Sequence, residues 1–276
     1  MMIPFTKYQG AGNDFILLDE RDTYWLDETD PHLIAQWCDR RFGIGADGLM
    51  LLRNRIGYDF EMVYFNADGR PGSMCGNGGR CMVDFARHLG IIAQKAYFLA
   101  VDGPHRAQLT RPGWVELQMG DVNHIEEGAD YYFLDTGSPH YVRFVRDLSG
   151  IDVVGAGRAI RYNDRFREKG TNVNFVETQD QCLVIATYER GVEDETLACG
   201  TGITAAALAH SLMKNGAGAT VQRSVRVQAK GGVLEVRFRQ MGKRFTDIWL
   251  CGPAQRVFEG FVAEKNDKYE DDKFDQ

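Results

Sequence analysis

A four-residue pattern that occurs twice constrains this chain more than any other feature. Cys75-Gly76-Asn77-Gly78 and Cys199-Gly200-Thr201-Gly202 each follow predicted strands and precede an apolar helix, which we predict over 79–89 and 200–213. A four-residue pattern can recur by chance, but both copies here lie in the same order of strand, turn and helix. This shared context favours duplication of a whole structural unit. We therefore expect two similar halves related by an approximate two-fold axis.

The length of 276 residues, divided by a typical domain size of about 150 residues, predicts about two domains. We place the boundary near the turn Thr110-Arg111-Pro112-Gly113, so that residues 1–113, together with about 253–263, form the first domain. Residues 114–252 form the second domain, and residues 264–276 form a charged tail.

Local patterns predict the elements of each half. Residues 2–20 are expected to form a hairpin, and residues 31–42 a helix that Asp30 caps and Gly43 ends. The other predicted strands span 48–53, 58–65, 114–119, 131–135, 141–145, 173–177, 182–188, 219–228, 232–239 and 246–250.

The charge distribution and the N-terminus argue against several classes of protein. Six acidic and three basic residues lie in 264–276, so that −3 of the net charge of −7 belongs to the tail. The rest of the chain has no basic stripe that could neutralise phosphates, so we expect no nucleic-acid partner. No apolar run approaches the roughly 18 residues of a membrane-spanning helix, and no secretory signal is evident. We expect a cytoplasmic protein that contacts no membrane.

A cysteine directly before a glycine-rich helix start has a specific chemistry. The first N–H groups of a helix lack intrahelical partners and, with the helix dipole, stabilise anions. This placement is expected to bring the thiol pKa from about 8.5 toward neutrality and to hold a substrate carboxylate close to the sulfur. If Cys75 and Cys199 converge, one sulfur can remove an α-proton while the other delivers a proton to the opposite face. A stereocentre would then be inverted without a cofactor.

Other interpretations of the cysteines are weaker. Five residues separate Cys75 from Cys81, no CxxC pair is present, and no histidine has ligand spacing, so we expect no metal site. A buried apolar role is the expectation for the remaining thiols, which are Cys38, Cys81, Cys182 and Cys251.

Three other motifs lie outside the cysteine repeat. The GxGxxG match at 43–48 follows a helix and precedes a strand, the reverse of the dinucleotide-binding order, and predicts a turn. Arg190, at the end of a predicted strand, is suited to clamp a carboxylate. His140 follows a constrained Gly-Ser-Pro turn of the kind that presents side chains to a site.

Taken together, these residues resemble the diaminopimelate epimerase family over nearly the whole chain and in the same order. The motifs that carry the resemblance are Gly12-Asn13-Asp14-Phe15, Phe65-Asn66-Ala67-Asp68-Gly69, Met74-Cys75-Gly76-Asn77-Gly78, Pro139-His140, Asn172-Val173-Asn174-Phe175, Tyr188-Glu189-Arg190-Gly191 and Ala198-Cys199-Gly200-Thr201-Gly202. The resemblance implies an α/β (α+β) fold of two pseudo-symmetric domains, each a curved, barrel-like, mainly antiparallel sheet around a central helix.

The resemblance also implies an activity and a set of roles. Members interconvert LL- and meso-diaminopimelate for lysine and cell-wall synthesis without a cofactor, commonly as homodimers. Cys75 is expected to act on the LL isomer and Cys199 on the meso isomer, while His140 and Glu189 tune the thiol pKa values. The residues expected to bind the substrate are Asn13, Asn66, Gly76, Asn77, Asn172, Glu189, Arg190, Gly200 and Thr201.

The chain departs from the family pattern at two positions that line the ligand. Many members have Asn where Ser138 stands and Gln where Gly48 stands. Ser138 can still donate one hydrogen bond to the substrate, whereas Gly48 contributes no side chain. A proline or hydroxyproline racemase of the same fold is the alternative. That group usually has His where this chain has Asn77, and it does not need the clamp formed by Asn66, Asn172 and Arg190.

Overall fold

A computed structural model describes residues 1–26 and 30–263, so the predicted charged tail lies outside the described residues. Within them the chain forms seventeen strands and four helices. The strands are β1 Met2–Gly10, β2 Asn13–Asp19, β3 Gly48–Arg53, β4 Phe60–Asn66, β5 Lys95–Ala100, β6 Gly103–Arg111, β7 Trp114–Gln118, β8 Glu126–Glu127, β9 Tyr132–Asp135, β10 Pro139–Val145, β11 Asn172–Thr178, β12 Leu183–Glu189, β13 Asp194–Thr196, β14 Thr220–Ala229, β15 Gly232–Met241, β16 Arg244–Pro253 and β17 Gln255–Ala263. The helices are α1 Pro31–Cys38, α2 Gly76–His88, α3 Val153–Arg161 and α4 Gly200–Asn215.

The strand pairings of the first half recur in the second. β2 pairs in parallel with β3, β3 antiparallel with β4, β4 in parallel with β5, and β5, β6 and β7 continue antiparallel. The second half repeats this order of parallel and antiparallel pairs along β10, β11, β12, β14, β15 and β16. The helices recur too, since α1 and α3 connect the first parallel pair of each half, and α2 and α4 the second. The predicted α/β fold with pseudo-symmetric halves is confirmed.

Each half encloses one long helix in an apolar core. α2 is surrounded by side chains of β2, β3, β6 and β7, and α4 by side chains of β10, β11, β12, β15 and β16. The Ala-rich sequence of α4 makes it narrow, so that it is buried on nearly every side within the curved sheet. This burial fixes the first turn of each helix, and therefore the position of the cysteine before it.

The pairing of β7 with β16 joins the halves into one continuous sheet. β7 pairs with β6 of the first half and with β16 of the second. The last strand, β17, returns to pair with β1. The domain limits predicted at 113/114 and 252/253 remain a proposal, in which β17 belongs to the first domain.

The helix predicted over 31–42 is shorter than expected. It starts at Pro31 with an Asp30 cap, as predicted, but ends at Cys38. The Asp39 side chain accepts hydrogen bonds from the N–H groups of Arg41 and Phe42, both at 2.7 Å, and so forms a turn that competes with the helix. Gly43 therefore follows a turn rather than the helix.

Two other local predictions were incomplete. α2 begins at Gly76 and not at residue 79, because tertiary packing holds three glycines in a helical conformation that their intrinsic propensity disfavours. α3 was not predicted at all. Two glycines interrupt its apolar pattern, so the sequence does not predict a helix there. The helix is capped by Asp152, whose side chain accepts a hydrogen bond from the Gly155 N–H at 3.0 Å.

Candidate active site

The two predicted catalytic cysteines occupy equivalent places in their halves. Cys75 precedes α2 and Cys199 precedes α4, each as an extended N-cap residue whose side chain does not cap its own helix. The backbone N–H groups of Asn77 and Gly78 lower the pKa of the Cys75 thiol, and that of Gly202 lowers the pKa of the Cys199 thiol. Each sulfur therefore lies at the positive end of a helix, where an anion is stabilised.

The first turns of α2 and α4 meet each other. A Cβ atom built on Gly200 would lie 3.9 Å from Gly76 Cα and 3.8 Å from Asn77 Oδ1. The same methyl of Leu250 would lie 3.2 Å from a Cβ on Gly76 and 2.8 Å from one on Gly200. Asn77 Nδ2 also donates to the Ala198 carbonyl oxygen across 3.0 Å. The two helix starts thus converge, and glycine allows their close approach.

Burial controls the protonation of both thiols. It raises the pKa of Cys75, and it raises the pKa of Cys199 to about 12. The Glu189 carboxylate raises both pKa values further, whereas the helix N–H groups lower them. The predicted fall of the thiol pKa toward neutrality is therefore wrong for this structure, because loss of solvation outweighs the donors. A thiolate formed here is a stronger base than one in water.

Glu189, at the end of β12, is the charged group that acts on both cysteines. Burial raises the pKa of its own carboxyl group. Thr196, on the neighbouring strand β13, donates to Glu189 Oε2 at 2.9 Å and favours the charged form. When it is ionised, Glu189 makes each thiol harder to deprotonate.

His140 reaches Cys199 through a hydroxyl group. Asn174 Nδ2 donates to His140 Nδ1 at 3.1 Å, so the neutral ring carries its proton on Nε2. Nε2 lies 2.8 Å from Thr201 Oγ1, and Thr201 Oγ1 lies 3.4 Å from Cys199 Sγ. Burial, followed by the charge of Arg190, lowers the pKa of His140 to about 3 and keeps the ring neutral. His140 Nε2–H can then donate to Thr201, whose O–H can donate to the sulfur.

Asn13 and Asn77 connect the β1–β2 turn to the helix start. Asn77 Nδ2 donates to Asn13 Oδ1, and Asn13 Nδ2 donates to Asp47 Oδ2 at 2.9 Å. Asp47 is held in turn by an ion pair with Arg40, with 2.7 Å between the atoms. The structure therefore brings Asn13, Gly76, Asn77, Gly200 and Thr201 together at the meeting point of the helices.

Asn172 and Arg190 lie beside Glu189. Asn172 Oδ1 accepts from the Arg190 backbone N–H at 2.9 Å, and its Nδ2 donates to Ser138 Oγ at 3.1 Å. The Arg190 side chain is exposed and donates to the Lys169 carbonyl oxygen at 2.9 Å. The guanidinium is thus turned toward the rim of the site.

Asn66 and Gly48 lie on neighbouring strands, apart from the residues that meet at the two helix starts. Asn66 is exposed at the end of β4, paired across the strands with Gly48, and among the described residues its side chain hydrogen-bonds neither cysteine. Tyr64 and the backbone of Phe65 fill the space beside Gly48, since a Cβ built on that glycine would lie 2.5 Å from both Tyr64 Cε2 and the Phe65 carbonyl oxygen. Gly48 therefore cannot carry a side chain without displacing Tyr64.

Sequence reasoning did not single out Tyr64, Arg80, Asn174 or Thr196. Asn174 was visible as part of a motif, but its contact with His140 depends on the parallel pairing of β10 with β11. Thr196 had no signal of its own.

Within the described ranges, no group of three or more His, Cys, Asp and Glu side chains is arranged to hold a metal ion. The helices in these ranges do not combine the length and the apolar character that spanning a bilayer requires. All six cysteines are free thiols.

The fold places the chain in a class of pseudo-symmetric α/β proteins with known structures. A phenazine biosynthesis protein of the PhzF family from Bacillus anthracis aligns with a TM-score of 0.73 at 12% identity, covering 96% of this chain and 100% of that one. A hydroxyproline epimerase from Agrobacterium vitis aligns with a TM-score of 0.67 at 14% identity, covering 95% of this chain and 91% of that one. At these identities the likeness shows the fold alone.

Within this class, the chain belongs to the diaminopimelate epimerase family. The family model described as diaminopimelate epimerase matches residues 5–125 and 132–257. A diaminopimelate epimerase from Flavobacterium psychrophilum is 50% identical over 254 residues, 92% of this chain and 97% of the relative. One from Chlorobaculum tepidum is 44% identical over 263 residues, with 92% and 99% coverage. The resemblance seen in the motifs is thereby confirmed.

Proposed function

We propose that the protein is an epimerase that interconverts LL- and meso-diaminopimelate, in lysine and peptidoglycan precursor biosynthesis. The observation that carries the proposal is the meeting of two helix starts, each preceded by a cysteine. Family membership and relatives named diaminopimelate epimerase support the choice of substrate. No cofactor is required by this chemistry.

In the proposed reaction, the N–H groups at the starts of α2 and α4 bind the carboxylate next to the reacting carbon. Cys75 removes the α-proton of the LL isomer, and Cys199 delivers a proton to the opposite face; the reverse reaction exchanges these roles. Charge grows on the carboxylate as the carbanion forms, and the two helix ends stabilise that charge. The substrate ammonium group favours a nearby thiolate and so opposes the effect of burial.

The remaining roles in the proposal rest on membership of the family and on the motifs that carry the resemblance. Asn13, Asn66, Asn172, Glu189 and Arg190 would hold the amino groups and the distal carboxylate, with Arg190 turning inward from the rim. His140 and Glu189 would tune the thiols, His140 through Thr201.

The substrate is tested by an epimerisation assay with purified protein. LL-diaminopimelate should be converted to the meso isomer, measured by chiral chromatography, with α-proton exchange from D₂O followed by NMR. Proline and trans-4-hydroxyproline should not react. Turnover of either imino acid without turnover of diaminopimelate would favour the racemase alternative instead.

Replacement of Glu189 by glutamine should shift the pH profile of the reaction. The change removes a negative charge that raises the pKa of both thiols, so each thiol should ionise more readily. Because activity rises as the base thiol ionises and falls as the acid thiol ionises, both limbs of kcat/KM should move to lower pH, by roughly one unit. Glu195→Gln, which removes a carboxylate paired with Lys230, is the control. An unchanged profile in Glu189→Gln would argue against the tuning role.

We also propose that the enzyme is a cytoplasmic homodimer. Free thiols throughout suit a reducing compartment. Exposed aromatic side chains border a cleft between α1 and β17, with Phe42 84%, Phe258 47% and Phe261 67% exposed, and a second subunit could cover them. Sedimentation equilibrium should give twice the chain mass, and a monomer would contradict the proposal.

A further inference from the structure

Arg80, in the second turn of α2, is a fully buried arginine with an unusual set of partners. Its side chain is 0% exposed. It donates to Asn77 Oδ1 at 2.7 Å, to the Gly76 carbonyl oxygen at 3.3 Å and to the Pro253 carbonyl oxygen at 3.4 Å. All three acceptors are neutral. Across the described part of the chain, no carboxylate lies within ion-pair distance of this guanidinium.

A buried charge is costly unless an opposite charge compensates for it. Arginine keeps its proton under all ordinary conditions, so Arg80 cannot avoid the cost by becoming neutral. The ionisable groups that interact favourably with it are three thiols, those of Cys75, Cys81 and Cys251. Of these, only Cys75 lies at the meeting point of the helices. The buried cation therefore has its compensating anion when Cys75 is a thiolate or when a substrate carboxylate binds at the helix start.

The contact with Asn77 gives Arg80 a second effect. The guanidinium occupies Asn77 Oδ1 and so directs Nδ2 toward Asn13 and the Ala198 carbonyl oxygen. Ala198 immediately precedes Cys199. The Asn77 carboxamide thus contacts both halves of the site, and Arg80 sets the orientation of that carboxamide.

The internal repeat shows that this arrangement is not symmetric. Arg80 is the fifth residue after Cys75, and Thr204 is the fifth after Cys199. Thr204 is also fully buried and donates to the Gly200 carbonyl oxygen at 3.0 Å, as Arg80 does to the Gly76 carbonyl oxygen. The two halves therefore share the hydrogen bond to the helix start, but only the first has a positive charge there.

We infer that Arg80 is a positioning residue for the proposed epimerisation: it fixes the Asn77 bridge and supplies positive charge to the Cys75 side of the site alone. The inference rests on the proposed function of the two thiols. The ionisable groups around Cys75 are Arg80 and Cys81 on α2, Tyr64 on β4, Glu189 on β12 and Cys199 before α4. Of these groups, only Arg80 is positive, so it opposes Glu189 at Cys75 and has no counterpart at Cys199.

The test compares Arg80→Met and Arg80→Lys with the wild type. Alkylation of each cysteine by iodoacetamide is followed against pH, and mass spectrometry of the peptides separates Cys75 from Cys199. In Arg80→Met, the Cys75 profile should move to higher pH, with about tenfold slower alkylation at neutral pH, which corresponds to about one pKa unit. The Cys199 profile should stay in place. Arg87→Met removes a charge from the exposed end of the same helix and should change neither profile.

Arg80→Lys separates charge from geometry. It keeps the charge but loses the planar fork, so the Cys75 profile should stay near that of the wild type while kcat/KM falls about tenfold or more. If Arg80→Met does not fold, as judged by circular dichroism, Arg80→Gln takes its place as the neutral variant, with the same expected shift of the Cys75 profile. Equal shifts at both cysteines, no shift in folded Arg80→Met, or a Cys75 shift in Arg80→Lys would each overturn the inference. Because alkylation needs no substrate, this readout can fail independently of the proposed epimerase activity.

Discussion

Replacement of Cys75 or Cys199 by alanine should reduce epimerisation of diaminopimelate by at least about 10³-fold. Each variant loses the group that removes or delivers a proton on one face of the α-carbon, and general acid–base catalysis contributes roughly 10²–10⁴-fold. In each variant the remaining thiol reaches only one face of the α-carbon, so it cannot exchange protons on both. Isomer conversion, measured by chiral chromatography, should therefore nearly disappear in both variants.

Exchange of the α-proton with D₂O shows which face of the α-carbon each thiol acts on. Cys75→Ala should lose exchange into the LL isomer but can retain slow exchange into the meso isomer, while Cys199→Ala should show the opposite preference. Cys182→Ala, at the turn between β11 and β12, is the control and should keep wild-type activity. Full epimerase activity in either active-site variant would mean that the thiols are structural.

The location of the site could be predicted from sequence because local signals specify it. A cysteine followed by glycines and an apolar stretch marks a helix start, and its repetition indicates that the fold duplicates the unit. The pairings of β2 to β7 and of β10 to β16 then bring the two helices into equivalent positions. Most strands lie within a few residues of their predicted limits for the same reason, since alternating apolar residues between turns are a local pattern.

The electrostatics of the site could not be predicted in the same way. A helix start lowers a thiol pKa only if the sulfur stays in contact with water, and its burial here depends on packing between residues far apart in the chain. Glu189 and Arg80 act on Cys75 with opposite signs, from β12 and from α2. Neither effect is encoded in the spacing of the motif. The same holds for Thr201, whose hydroxyl joins His140 to Cys199 only when β10 lies beside α4.

A second large effect is expected at Gly231, in the turn between β14 and β15. Its N–H donates to the Leu197 carbonyl oxygen at 2.8 Å, just before the Cys199 motif. Ala11 and Gly12, both with positive φ, form the β1–β2 turn that presents Asn13 and that packs directly on Gly231. A Cβ on Gly231 would overlap the Ala11 carbonyl oxygen, a backbone atom that a rotamer change cannot remove.

Gly231→Ala should therefore displace the turn that carries Asn13 from the segment that carries Cys199. Such overpacking typically costs about 1–3 kcal/mol of unfolding free energy, measured by urea denaturation. A shift of about 1 Å at the site should reduce kcat/KM roughly 10²-fold, since the substrate groups no longer align with both helix starts. Gly218→Ala is the matched control, because a Cβ there meets no atom within 4 Å and its φ is not positive. Wild-type kcat/KM in Gly231→Ala would mean that the β1–β2 turn can move without disturbing the site, and that Asn13 does not help to position the substrate.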